Sequence, residues 1–251
     1  MKLIRISSLL IILNFHSAFA ASTYEDVGDF VIEHSEIELA QLETWAYLFE
    51  LINLDGTTKI ISHANENILL KPASTMKIFT GWWAFKEKNQ TDDYLYQMLR
   101  QSVNEMADAT SQGMGGVLTM ADWYRDLGLN LTEENFKPAD GSGLSYDNKA
   151  NCQVEIDLLK KIRNDEEYER FKNLLAQPKK DGTLQDRLTI YAGKLFAKTG
   201  TLNATAALAG FLETPKGTMV FCILSDYLKI KVVSARKKID NMVRVNYNLA
   251  K

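Results

Sequence analysis

The sequence predicts an α+β protein: a five-stranded antiparallel sheet split between the chain ends, with flanking N- and C-terminal helices and an inserted helical lobe. Three observations predict it. Apolar runs rich in β-branched and aromatic residues gather before residue 64 and after residue 193, separated by turn dipeptides. Between residues 72 and 185 the apolar residues recur at helical spacing instead. Neither group of strands completes a sheet alone, so residues 21–251 read as one domain, with a sheet lobe (21–71 and 186–251) and a helical lobe (72–185).

Taken in order, "MKLIRISSLLIILNFHSAFA" has Lys2 and Arg5, an apolar run and then Ala18-Phe-Ala20. This is the layout of a secretory signal peptide over residues 1–20, too short to span a membrane, with the mature chain starting at Ala21. "TWAYLFELINL" and "TKIISH" flank an Asp55-Gly56 turn and predict a hairpin. Helices are expected from Ser74 to Lys88, Tyr94 to Thr110, Met120 to Leu127, and Val154 to Leu175 with a break. "GKLFAKTG", "AALAGFLET" and "TMVFCILSDYL" supply three more strands, the last two joined at Pro215-Lys-Gly217. Val232, Ala235, Ile239 and Met242 then mark one apolar helix face, with the basic residues expected to point outward.

Composition narrows the chemistry. With 46% hydrophobic and 24% charged residues the chain has material for a sizeable core. Loss of Lys2 and Arg5 moves the formal net charge from −3 to −5, the wrong sign for a nucleic-acid partner. No later stretch is long and apolar enough for a membrane anchor. His34 and His63 lack a second histidine or cysteine at ligand spacing, so neither a metal site nor a cofactor is expected, and a Ser-His-Asp triad has no support. Cys222 sits in the buried-strand pattern "MVFCIL", which favours core packing over a bridge to Cys152.

The nucleophile is sought in "KPASTMKIFT". A serine hydroxyl needs a base within hydrogen-bond reach, and residues three apart on a helix share a face, so Ser74 and Lys77 can meet. The same spacing at Ser234-Ala-Arg-Lys237 shows how weak this signal is alone, since a helix cap with a solvated lysine fits as well. Two further motifs strengthen it. Ser102-Val-Asn104 and Lys198-Thr199-Gly200 follow in the order that marks penicillin-binding proteins and class A β-lactamases, the one in the helical part and the other ending a strand.

With "DGSGLSYDN" (140–148), "DGTLQDR" (181–187) and "AKTGTLNATAALAGF" (197–211), the chain resembles the S13 peptidase family of D-alanyl-D-alanine carboxypeptidases. The resemblance implies a β-lactamase/transpeptidase-like fold and a periplasmic serine acyltransferase whose partners are peptidoglycan stem peptides and β-lactams. It departs from the family in having only residues 78–101 between Lys77 and Ser102, where members carry a large insertion, and in having Tyr146 where they have arginine. The implied roles are Ser74 as nucleophile, Lys77 as base, Ser102 as proton relay and Asn104 as a holder of Lys77 and the substrate amide. Lys198, Thr199 and Thr201 would bind the terminal carboxylate, with Gly200 serving the backbone. A DD-endopeptidase preference within the family stays open, and a β-lactamase-like hydrolase and a weakly active or noncatalytic peptidoglycan-binding relative are the alternatives. The class A deacylation loop E-x-x-L-N is not matched by "LTEENF".

Overall fold

A computed structural model of the protein describes residues 43–251. The expected signal peptide and N-terminal flanking helix lie outside the described residues. Strands β1 (Thr44–Asn53) and β2 (Thr58–Ala64) form the first hairpin. Its turn is closed by Asp55 Oδ1, which accepts from Thr57 N at 2.9 Å, and by Gly56 at φ +82. Near the other end come β5 (Leu195–Leu202), β6 (Thr205–Thr214) and β7 (Gly217–Asp226). The sheet order is β2-β1-β7-β6-β5, antiparallel throughout, so the first strand of the described chain pairs with the last.

Period-two alternation gives the sheet two buried faces. From β7, Val220, Cys222 and Leu224 point into a core shared with the helices, while Met219, Phe221 and Ile223 point into a second core. That second core is closed by α7 (Val232–Ala250) through Ala235, Ile239, Val243 and Tyr247, the face expected from the sequence extended by two turns. The helices on the other side are α1 (Met76–Lys86), α2 (Asp92–Leu99), α3 (Asn104–Gly113), α4 (Gly116–Asp126), α5 (Cys152–Arg163) and α6 (Tyr168–Lys172). A two-residue pair of strands, β3 (Phe136–Lys137) and β4 (Lys149–Ala150), was too short to show as periodicity.

Two expectations need correction. The helix expected over Tyr94 to Thr110 is two helices, because the chain breaks at residues 100–103 with Ser102 in the left-handed region at φ +66. Cys222 is not merely packed: it is bonded to Cys152, with Cα atoms 5.4 Å apart. Cys152 opens α5, and α5 lies on the inner face of β7, so both sulfurs are core atoms. A strand pattern reveals that Cys222 is buried but not which helix end meets it.

Candidate active site

Ser74 sits in a single 3-10 turn (Ala73–Thr75) that runs into α1, with Pro72 fixing the entry. Ala73 is left-handed at φ +50, a conformation that costs an alanine roughly 1–2 kcal/mol and must be held by its surroundings. Two backbones press on it. At Gly143 (φ +80) an added Cβ would lie 1.8 Å from Ala73 O, and at Gly200 it would lie 2.8 Å from Pro72 O. Gly200 therefore serves close approach of β5 to the serine turn, not a turn of its own.

Lys77, one helical turn beyond Ser74, is fully buried and has three acceptors. Its Nζ donates to Ser74 Oγ at 3.1 Å, Asn104 Oδ1 at 2.7 Å and Ser142 O at 2.6 Å. Burial pulls its pKa down to about 8, against the opposing pull of Asp108, Asp140 and Glu105. The Ser142 carbonyl is delivered by a loop wired to two carboxylates. Asp108 Oδ1 accepts from Ser142 N at 2.9 Å, and Asp140 accepts from the N–H groups of Gly143 and Ser145, each at 2.6 Å.

Lys198, on edge strand β5, faces this group from the sheet. It too is fully buried, and donates to Ser102 Oγ at 2.8 Å and Thr199 O at 2.9 Å. Burial, then the charge on Lys77, drives its pKa well below the ordinary lysine value. The left-handed Ser102 is steadied by its neighbour Arg100, whose Nε donates to Leu175 O at 3.0 Å and whose carbonyl accepts from Thr183 N at 3.4 Å. Thr199 Oγ1 donates to Thr183 Oγ1 at 2.8 Å, and Arg236 Nη2 donates to Thr201 Oγ1 at 3.0 Å.

A cleft of about 330 Å³ opens between the two walls, lined by Ser74, Ser102, Asn104, Thr183, Arg187, Thr199, Thr201 and Arg236. The sequence-derived residues thus come together, with Lys77, Lys198 and Gly200 behind the surface and the rest on it. Thr183, Arg187, Arg236 and the Ser142 carbonyl were not singled out. Thr183, Arg187 and Ser142 lie in segments already quoted for the resemblance, whereas Arg236 carried no signal because basic residues on an amphipathic helix are normally solvated.

The sequence model of the D-Ala-D-Ala carboxypeptidase 3 (S13) family matches residues 89–249, a stretch that holds Ser102, Asn104 and Lys198. The chain belongs to the S13 family. A curated relative from Actinomadura sp. (strain R39), a D-alanyl-D-alanine carboxypeptidase, is 26% identical over 137 residues, 52% of this chain and 25% of its own. Penicillin binding protein 4 of Haemophilus influenzae superposes with TM-score 0.56 at 22% identity, over 62% of this chain and 39% of that one. A predatory endopeptidase from Bdellovibrio bacteriovorus, solved with an immunity protein, is 26% identical over 61% of this chain and 42% of its own, at TM-score 0.55. The TLA-1 extended spectrum β-lactamase matches more completely in shape, TM-score 0.66 over 88% of this chain and 98% of that one, at 15% identity. This S13 chain therefore spans a quarter of its curated relative and about two fifths of the penicillin binding protein, while its fold follows the β-lactamase outline.

Proposed function

We propose that this S13 protein is a serine D-Ala-D-Ala carboxypeptidase that acts on peptidoglycan stem peptides through a Ser74 acyl-enzyme. The observation that carries the reading is the Ser74 Oγ to Lys77 Nζ contact of 3.1 Å, made by a buried lysine whose pKa is lowered to about 8. A lysine so tuned exchanges a proton near neutral pH, which an exposed lysine does not.

In the proposed reaction Lys77 takes the Ser74 proton as Oγ bonds to the carbonyl carbon of the penultimate D-alanine. The oxyanion is received by the N–H groups of Ser74 and Thr201, each donor worth on the order of 3 kcal/mol. Ser102 accepts from Lys198, so its own hydroxyl proton goes to the leaving amine as the C–N bond breaks. In exchange Ser102 takes the proton that Lys77 removed from Ser74, which leaves Lys77 neutral again. Neutral Lys77 then takes a proton from the water that attacks the ester carbon, and returns it to Ser74 Oγ as the acyl C–O bond breaks. Lys198, Thr199, Thr201 and Arg236 surround the place for the terminal carboxylate. Arg187 is drawn off by Asp240, at 2.7 Å. With residues 1–20 as a signal peptide, the enzyme would work in the periplasm; among the described residues no helix is long and apolar enough to cross a membrane.

Among the described residues the cleft lining contains no carboxylate. That supports slow deacylation, because class A β-lactamases use a glutamate to drive water onto the ester. A fluorescent penicillin should therefore label the protein and stay attached for minutes or longer; rapid turnover would favour the β-lactamase reading instead. Digestion of purified peptidoglycan tests the substrate. Free D-alanine is the expected product, and resolved cross-links without free D-alanine would transfer the reading to an endopeptidase, the activity named for the Bdellovibrio relative.

A further inference from the structure

Behind the Ser74 turn lies a buried carboxyl that this reaction does not use. Glu155, on α5 three residues after Cys152, is 1% exposed. Its Oε1 lies 2.7 Å from Thr75 Oγ1, and the same hydroxyl lies 2.9 Å from Pro72 O. Its Oε2 is buried without a hydrogen-bond partner. The protons can be counted. A carbonyl has none to give, so the one Thr75 proton is needed for the Pro72 bond, and the proton between Thr75 and Glu155 must come from the carboxyl. An ionised Glu155 would compete with Pro72 for that proton and would leave a charged oxygen unpaired in the core, whereas a neutral acid leaves only a carbonyl-like oxygen unpaired.

The surroundings agree. Burial pushes the Glu155 carboxyl up to about 8, opposed only by the Thr75 hydroxyl. Charges on the elements packed around α5 are engaged elsewhere: Lys77 of α1 as described, Glu50 of β1 with Lys160, Glu213 of β6 with Lys172, and Asp226 of β7 with Lys71. On α5 itself Asp157 accepts from Gln153.

We propose that Glu155 is a positioning residue: as a neutral carboxylic acid it donates to Thr75, which donates to Pro72 O, and this chain of two bonds holds the strained turn that carries Ser74. The proposal rests on the acyl-enzyme reading of Ser74. When the pH passes about 8 the carboxyl loses its proton, the Thr75 hydroxyl turns to the carboxylate, and the Pro72 carbonyl keeps only the longer bond from the Thr75 N–H, at 3.3 Å.

The test is acylation of the full chain by a fluorescent penicillin on both sides of that pH, with Ser74→Ala as the blank. An unlabelled wild type would defeat the acyl-enzyme reading and this proposal with it. With labelling in hand, Glu155→Gln, whose amide can donate the same bond, should acylate within about twofold of wild type at neutral pH and keep its rate where the wild type falls. Glu155→Leu should be slower by about tenfold at neutral pH, the scale of a misplaced nucleophile, and should not share the wild-type fall above about 8, since it has no carboxyl to ionise. Thr75→Val breaks the same chain and should show the same loss if Glu155→Leu does not fold. Infrared spectra should show a protonated carboxyl at neutral pH that is missing in Glu155→Gln. A Glu155→Gln variant as slow as Glu155→Leu, one with the wild-type alkaline fall, or an ionised Glu155 at neutral pH would each overturn the proposal.

Discussion

The two walls of the cleft are built by opposite means. On the helical wall, Ser74, Lys77 and Asn104 are placed by contacts to segments far away in sequence: Ser142 meets Lys77, and Glu155 meets Thr75. On the strand wall, Lys198 to Thr201 are placed by regular pairing of β5 with β6, Lys198 against Ala209 and Thr201 against Ala206. A ladder of backbone bonds fixes a strand whatever its side chains are, whereas a strained turn keeps its shape only while each tertiary contact persists. The proposed nucleophile thus sits on the adjustable wall and the proposed carboxylate site on the stiff one.

The helical wall offers two serines to the cleft, Ser74 and Ser102, so the comparison depends first on which of them is the nucleophile. Ser74→Ala should abolish labelling by a fluorescent penicillin, and Ser102→Ala should slow it while leaving a measurable rate. Mass spectrometry of the labelled peptide checks the assignment, and an adduct on Ser102 would reverse the roles.

Next in size is the Cys152–Cys222 bridge, which ties the helix behind the adjustable wall to the centre of the sheet. Its ends are 70 residues apart in sequence. Constraint of the unfolded chain by such a loop is worth roughly 4 kcal/mol. Denaturant unfolding with and without reductant should show a loss of that order, with acylation failing at lower denaturant than the sheet does. Coincident loss of both would mean that the two walls are equally stiff.

The lysines sharpen the contrast electrostatically. Lys77→Ala and Lys198→Ala should each slow acylation by about a hundredfold or more, the usual scale for a positioned base or charge. The pH dependence separates them. Lys77 must be neutral to take a proton, so the acylation rate should rise with pH toward about 8. The sign for stability follows from the same shift. The folded-state value lies below the unfolded 10.5, so between about 8 and 10.5 the unfolded chain holds the extra proton and Lys77's contribution to stability rises with pH. Below 8 both states are protonated and the fold carries the cost of a buried cation. An acylation profile that is flat below pH 8 would remove Lys77 as the base.

The same division explains what the sequence could show. The strand wall was legible because alternation and a K-T-G signature are local, and α7 was legible because its apolar spacing is regular. Ser74 and Lys77 were legible as a pair because one helical turn joins them. What was not legible depends on tertiary contact. Glu155 meets Thr75 across 80 residues, the Ser142 carbonyl is a backbone group with no letter of its own, and the disulfide joins a helix end to a strand. The break at Ser102 was hidden because residues on both sides are good helix formers, and Arg100 and Thr183 hold the exception in place.

Arg236 gives the smallest and most discriminating prediction. It stands on α7, whose apolar face closes the core on the far side of the sheet, yet its guanidinium reaches round the strand edge to Thr201. A cation there is useful to a substrate that ends in a carboxylate and indifferent to one that does not. Arg236→Ala should raise KM by about tenfold for a peptide ending in D-Ala-D-Ala, the scale of one charged hydrogen bond, with kcat nearly unchanged. The same peptide with its terminus amidated should lose that sensitivity to Arg236, because the charge the guanidinium recognises is gone. Arg187→Ala, which breaks a pair with Asp240 instead, should lower stability without separating the two peptides. If Arg236→Ala weakens both peptides equally, the arginine only props up Thr201, and recognition of the carboxylate belongs wholly to the stiff strand wall.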